Sequence, residues 1–564
     1  MQHSRRARRT FLLALALLSA CAAADPSPPH IASQPGRDAP SGVFAGFLTG
    51  RFALSQADAQ TASTQFLTAL AARPDDPDLV QQAFIASMIA GRTEALQLAR
   101  QLPDSHAAQL LLGQSEVLAG RWQAAEQRFR ALPHQGLTQL LQPLLIAWAQ
   151  QGDGRTEAAL NTLRPFIDGQ RFRGVYALHA AAIADQGGRT AEATKLYRQA
   201  ESEFGATNLR LAQILASAAA RQGRPGEAQR ILSAMAASAP DMGIAVKSLT
   251  VGSMTPAVPR PQDGIAEAYL ALAATVRAQD SSDFAMLLLR LALDLRPDFT
   301  AARLLASEIL DGQRHPENAL QMLTPVAADD PLIGVARLQR ASLNHRLGHT
   351  EEAIHELQRI ARDFPDSPVP LLREGDILRS KNRFAEAVVV YDRAIERIKA
   401  PKPSDWLAYY DRGICYERSR QWPKAEADFK RALALAPDEP VVLNYLGYSW
   451  ADMGRNLTQA REMIEKAVQR RPNDGAIVDS LGWVMLRQGS TADAVKTLER
   501  AVELEPEDAS INGHLGDAYW AAGRKLEATY QWRRALIFNP EPDDAAKLEA
   551  KLQSGQSSTV VSGQ

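Results

Sequence analysis

"LGWVMLRQGSTADAVKTLERAVELEP", residues 481–506, contains two helical segments and a turn. Val478, Leu481, Gly482 and Met485 step by three and four residues, and Ala494, Leu498 and Ala501 do so again, so each segment carries one apolar face. A glycine turn at Gly489 separates them, and Pro506 ends the second segment because proline lacks the amide that would continue it. The unit is a helical hairpin. Gly482 and Ala494 are small because two helices must approach closely where they cross. A leucine at Ala494 should overpack that crossing at a cost of about 1–3 kcal/mol, read as a lower denaturation midpoint for Ala494→Leu.

The hairpin recurs. Gly482, Ala494, Ala501 and Pro506 reappear as Gly413, Ala425, Ala432 and Pro437, as Gly447, Ala460, Ala467 and Pro472, and as Gly516, Ala528, Ala535 and Pro540. Upstream, Ala285, Ala319, Ala353 and Ala387 stand 34 residues apart. Further anchors fall at Ala62, Ala95, Ala125, Ala158, Ala193 and Ala228, with spacings of 33, 30, 33, 35 and 35. These anchors make fourteen hairpins, and a fixed period of this length marks units that stack because none buries its apolar face alone.

The frame of glycine, two alanines and proline at 34 residues resembles the tetratricopeptide repeat. The resemblance implies an all-α, right-handed α-solenoid of stacked hairpins, in one stack or in two arrays. Residues 400–540 match well, 264–399 keep the alanines and apolar positions, and 43–239 form a more degenerate array. Residues 240–263, punctuated by Gly252, Pro256, Pro259 and Pro261, either interrupt the stack between two arrays or form a packed surface loop. Residues 541–553 are expected to form a polar capping helix and 554–564 a loose tail.

In that family the first helix of each hairpin lines a concave groove. Carried onto the four good repeats, the groove positions are Tyr410, Asp411 and Ile414; Asn444, Tyr445, Tyr448 and Asp452; Asp479, Ser480 and Trp483; and His514, Asp517 and Trp520. Tyrosine and tryptophan dominate binding hot spots because they offer large contact area with few rotors to freeze. The competing reading is that these rings pack against the next repeat. The interleaved aspartates suggest a basic protein or peptide partner. The lysine, asparagine and arginine set with which some members clamp a C-terminal carboxylate is not evident.

The N-terminus adds an address. "MQHSRRARR" followed by "TFLLALALLSA" has the basic and short apolar regions of an export signal over residues 1–20. "LSAC", Leu18 to Cys21, resembles a bacterial lipobox, which implies lipidation of Cys21, and Ala22 in place of aspartate favours the outer membrane. "RRTFLL" also resembles a twin-arginine export motif. Residues 21–42, with prolines at 26, 28, 29, 35 and 40, have the composition of an extended tether. The expected location is the periplasm of a Gram-negative bacterium, on the outer membrane through the N-terminal lipid alone.

Composition narrows function. Lys plus Arg total 63 against 64 Asp plus Glu, and removal of the signal leaves 59 against 64, so nothing points to nucleic acid. Cys415 is the second of two cysteines, so with Cys21 lipidated no intramolecular disulfide or cysteine metal cluster forms. No phosphate-binding loop, nucleophile elbow or H-E-x-x-H zinc motif is present. "HELQR" at His355 places Arg359 where the second histidine would stand, and His345 and His349 are surface residues with no evident third ligand. No enzyme activity, metal or cofactor is expected. Two functions remain: a protein-binding scaffold for envelope assembly, secretion or cell-wall synthesis, and a glycan-handling role in which the groove aromatics stack on peptidoglycan or exported polysaccharide.

Overall fold

The computed structural model describes residues 40–132, 138–169, 172–204, 208–277 and 282–560. The export signal, Cys21 and the tether up to residue 39 lie outside them. Thirty α-helices and two short 3-10 helices make up the described residues, with no strand among them. Twenty-eight helices pair in sequence into fourteen antiparallel hairpins, leaving Val246–Gly252 and Pro542–Val560 unpaired.

The hairpins form for local reasons. First helices are opened by side-chain caps: Asp474 accepts from the Ile477 amide and Asp508 from the Ile511 amide, satisfying amides that have no partner inside the helix. The turn to the second helix needs a residue at positive φ, and Gly120, Gly154, Gly188, Gly454, Gly489 and Gly523 supply it at the repeat period. Arg314, Asn382 and Arg420 hold the same place without glycine's freedom. At the crossing, Ala285, Ala319, Ala353, Ala387, Ala425, Ala460, Ala494 and Ala528 have no exposed surface. A side chain added to Gly482 would begin 2.5 Å from Leu498 Cγ, so the crossing tolerates no larger residue without movement.

One anchor is corrected. Ala159 is fully buried, whereas its neighbour Ala158 stands half out of the crossing. With Ala159, the anchors Ala125, Ala159 and Ala193 fall 34 apart, and the irregular spacing there disappears.

Residues 240–263 are a folded insertion. A 3-10 helix, Pro240–Ala245, and a short α-helix, Val246–Gly252, bury Ile244, Ala245 and Leu249. Ile244 packs beside Gly334, and Asp241 pairs with Arg373 at 2.6 Å, so the insertion ties down the helices that follow. The chain then crosses the first array. Helix Pro261–Arg277 is buried almost all round and lies on helix Thr138–Gly152, with Gly264 against the face of the Trp148 ring. Asn318 Nδ2 donates to the Ala57 carbonyl at 2.8 Å across 261 residues of sequence. The hairpins before and after the insertion therefore share one apolar core, from Ala53 to Cys415. A new cluster begins at Tyr409, close to the proline-rich "KAPKPSD" at 399–405.

The last helix runs Pro542–Val560, past the boundary expected at residue 553 and into the segment expected to be loose. Residues 561–564 lie outside the described set.

Candidate functional site on the concave side of the C-terminal repeats

Four first helices, Trp406–Arg418, Pro440–Asp452, Gly475–Arg487 and Ala509–Ala521, stand side by side. Burial sorts the predicted groove residues. Tyr410, Ile414, Asn444, Tyr445, Tyr448, Trp483, His514, Asp517 and Trp520 are half-buried, Asp452 is exposed, and Asp411, Asp479 and Ser480 are buried. The Ser480 hydroxyl donates to the Ala476 carbonyl of its own helix at 3.0 Å.

The rings form two groups. Tyr410 meets Tyr445 edge-on at 5.7 Å, and both contact Phe429 of the second helix Trp422–Leu435, so this pair packs one hairpin on the next. Tyr445 also donates its hydroxyl to Glu417 at 3.2 Å. Trp483, by contrast, stacks on His514 with centroids 4.3 Å apart, and Tyr448 lies 6.1 Å beyond the same imidazole. Three consecutive repeats thus contribute one aromatic surface, edged by the Arg487 guanidinium 5.9 Å from the Trp483 ring. Trp520 belongs to neither group and packs on Trp532 at 5.3 Å. Trp483 Nε1 and Asn444 Oδ1 are buried with no hydrogen-bond partner among the described residues. Orphaned polar atoms of this kind cost free energy unless a ligand or water satisfies them.

The aspartates are largely engaged within the chain. Asp411 lies 3.4 Å from Arg379, and burial, helped by Asp376 and opposed by Arg379, pushes its carboxyl up to about 7. It belongs to the interior and does not face a partner. Asp517 accepts from Trp532 Nε1 at 2.9 Å and from Lys551 Nζ at 2.7 Å. Asp479 is 2.8 Å from His514 Nδ1. Burial disfavours the charged imidazole, but Asp479 and then Asp517 outweigh it, so the His514 pKa lies above its ordinary value. A group raised in the folded state stabilises it fully below its unfolded pKa of about 6.5 and loses that contribution as pH climbs through the folded value. His514→Gln is therefore expected to lower the stability of the C-terminal repeats below pH 6.5 and to matter progressively less above it, checked by urea denaturation across that range.

The C-terminal helix is part of this site, which sequence reasoning missed. Leu548 is buried near Gly513, and Lys551 bonds Asp517. At its start, Glu541 pairs with Arg418 at 3.6 Å, the Asp544 carboxylate acts on the Tyr448 hydroxyl, and Asp452 acts on Lys547. The helix therefore covers the last repeat, and its start reaches back to Arg418, Tyr448 and Asp452. The signal in the sequence was Leu548 and Leu552, four apart on one helix face, with Lys551 between them in an otherwise polar segment.

Elsewhere, Cys415 is buried and burial pushes its thiol up to about 12, so it is an unreactive packing residue. His345 Nδ1 is 3.1 Å from the Thr350 hydroxyl, and His349 is exposed in the following turn. Among the described residues no group of three or more His, Cys, Asp or Glu is placed to hold a metal ion. No helix of the described residues is long and apolar enough to cross a membrane.

Fold and site together define an α-helical repeat protein whose helices pair into stacked hairpins. The tetratricopeptide repeat family model matches residues 372–440, 416–475 and 480–546, and a second model of the same description matches 335–367. The chain is 30% identical over 195 residues to the TPR repeat-containing protein PA4667 of Pseudomonas aeruginosa, a match covering 34% of this chain and 32% of that one. It is also 30% identical over 138 residues to human tetratricopeptide repeat protein 13, covering 24% and 15% of the two chains. The chain thus spans about a third of the first relative's length and less of the second. Among solved structures, the Cut9 and Hcn1 hetero-tetramer of the APC/C aligns over 92% of this chain and 97% of that chain at 15% identity, TM-score 0.38. Yeast Tom70 aligns over 93% and 97% at 12% identity, TM-score 0.34.

Proposed function

We propose that this chain is a non-catalytic interaction scaffold, exported and held by a lipidated Cys21 at the periplasmic face of the outer membrane of a Gram-negative bacterium. Its C-terminal concave side binds an extended segment or helix of a protein partner that acts in envelope assembly, secretion or cell-wall synthesis. The observation that carries the reading is the Tyr448, His514 and Trp483 surface, built from three repeats. Rings not consumed by hairpin packing are the kind that anchor a partner.

A second reading has its own support. Asp411, Asp479 and Asp517 all have partners within the chain, which leaves Asp452 as the exposed carboxylate of the set and weakens the attraction for a basic peptide. An uncharged ligand such as a peptidoglycan or exopolysaccharide sugar could stack on the same rings.

Photo-crosslinking in living cells from position 483 separates the two. A discrete protein adduct, lost in Tyr448→Ala, supports the scaffold, and a wall-linked or heterogeneous product in its place supports the glycan. The address is tested by cell fractionation: Cys21→Ala is expected to move the protein out of the membrane fraction, and unchanged membrane association would remove the lipid anchor from the proposal.

A further inference from the structure

A cavity of about 500 Å³ lies between the first array and the helix that crosses it. Its walls come from helices Arg173–Gln186, Leu209–Arg221, Pro261–Arg277 and Thr300–Gly312. Leu178, Ile214, Leu270 and Leu304 make most of its surface aliphatic. It opens to solvent along Asn208, Ala274 and Glu308, which are exposed. Its volume lies in the range of about 300–1,000 Å³ that small-molecule sites occupy.

The polar groups at its wall are unequal. Trp148 Nε1 donates to His179 Nδ1 at 2.9 Å, which leaves the single proton of the neutral imidazole on Nε2. Burial drives the His179 pKa down to about 4, so the ring is neutral at ordinary pH. His179 is only 4% exposed and lines the cavity, and its Nε2 meets no acceptor among the described residues. His179 Nε2 is therefore an unused donor at the buried end of the site, and the Asn208 amide, whose Oδ1 caps the Leu211 amide, is at its exposed edge.

No free cation accompanies it. Arg210 is bonded to Glu267 and Gln213 and donates to the Ala257 carbonyl. Glu267 is buried at the wall, and Glu308, half-exposed at the rim, pairs with Arg277 at 2.6 Å. Arg296 also reaches Glu267 at 3.7 Å, so the charges at the wall are already paired, and a carboxylate or phosphate would meet no unpaired base to receive it.

We propose that this cavity binds an uncharged aliphatic carbonyl compound, of the class of a fatty-acid amide or ester, whose carbonyl oxygen accepts from His179 Nε2 and whose chain lies along Leu178, Ile214, Leu270 and Leu304. The site is distinct from the concave side of the C-terminal repeats and does not depend on what binds there.

The test titrates the full mature chain with oleamide and, separately, with oleate, by calorimetry. Oleamide is expected to bind one to one, and oleate at least about tenfold more weakly because its charge would lose solvent with no unpaired cation to receive it. Ala271→Phe, which fills the cavity from a half-buried wall position, is expected to weaken oleamide by about tenfold or more with an unchanged melting temperature. Should that variant fold poorly, Thr275→Trp fills the cavity from its half-buried edge and serves in its place. No heat with oleamide, equal binding of oleate, or oleamide binding untouched by a folded filled variant would each overturn the proposal.

Discussion

Trp148→Ala is expected to lower stability by about 3–5 kcal/mol, the range for removing a fully buried tryptophan. The ring has no exposed surface and serves two packing surfaces at once. One side holds His179 through the 2.9 Å hydrogen bond and an edge-on contact at 6.1 Å. The other receives the crossing helix at Gly264, where any side chain would begin 2.2 Å from a ring atom. Truncation removes the ring's dispersion contacts and strands the imidazole nitrogen that accepted its proton. The chain is too long for a single two-state transition, so the measurement is hydrogen exchange. Amides of helix Pro261–Arg277 should lose protection with those of Thr138–Gly152, while helix Gly475–Arg487 should keep its own. Equal loss in all three would mean that the C-terminal repeats share the first core, against the separate clusters observed.

That long-range contact was not legible in the sequence. Periodicity reports what a helix does to its immediate neighbours, so the 34-residue alanines gave the fold class and the hairpin boundaries. It holds no information on where the stack meets itself. Helix Pro261–Arg277 begins with Asp263 and Glu267, which look like solvent-facing residues until Arg260 and Arg210 are seen beside them. The insertion before it looked irregular because its prolines and glycines dominate the pattern, while Ile244, Leu249 and Val258 are too few to show a period. Ala158 was preferred over Ala159 because two adjacent alanines are equivalent until the crossing selects one. At the site, positional carry-over selected Tyr448, Trp483 and His514 among thirteen residues without grouping them, and the structure joins these three through ring contacts. It could not separate Tyr410 and Tyr445, which pack on Phe429, from rings left available, because that choice depends on the second helix that lies between their two first helices in sequence.

The same distinction decides the largest effect expected on binding. Trp483→Ala should weaken a partner bound on the concave side by about 2 kcal/mol or more, roughly thirtyfold, the threshold of a binding hot spot. Trp483 is half-buried, its indole N–H lacks an acceptor, and its ring continues onto His514 and Tyr448, so a partner meets a rigid surface rather than a lone side chain. Tyr410→Ala should instead act through stability, because that ring is held by Tyr445, Phe429 and Trp406. Once a crosslinked partner is in hand, titration calorimetry with both variants, each checked by thermal melting, separates the roles. Loss of affinity in Trp483→Ala at constant melting temperature supports a groove that reads its partner through the Trp483 surface. Affinity lost only in step with melting temperature would return the whole aromatic set to hairpin packing. The C-terminal helix limits where that partner lies: Lys551 on Asp517 and Leu548 near Gly513 cover the last repeat, and Asp544 beside Tyr448 and Lys547 beside Asp452 bring the start of the helix to the same surface, so a partner must share it with that helix.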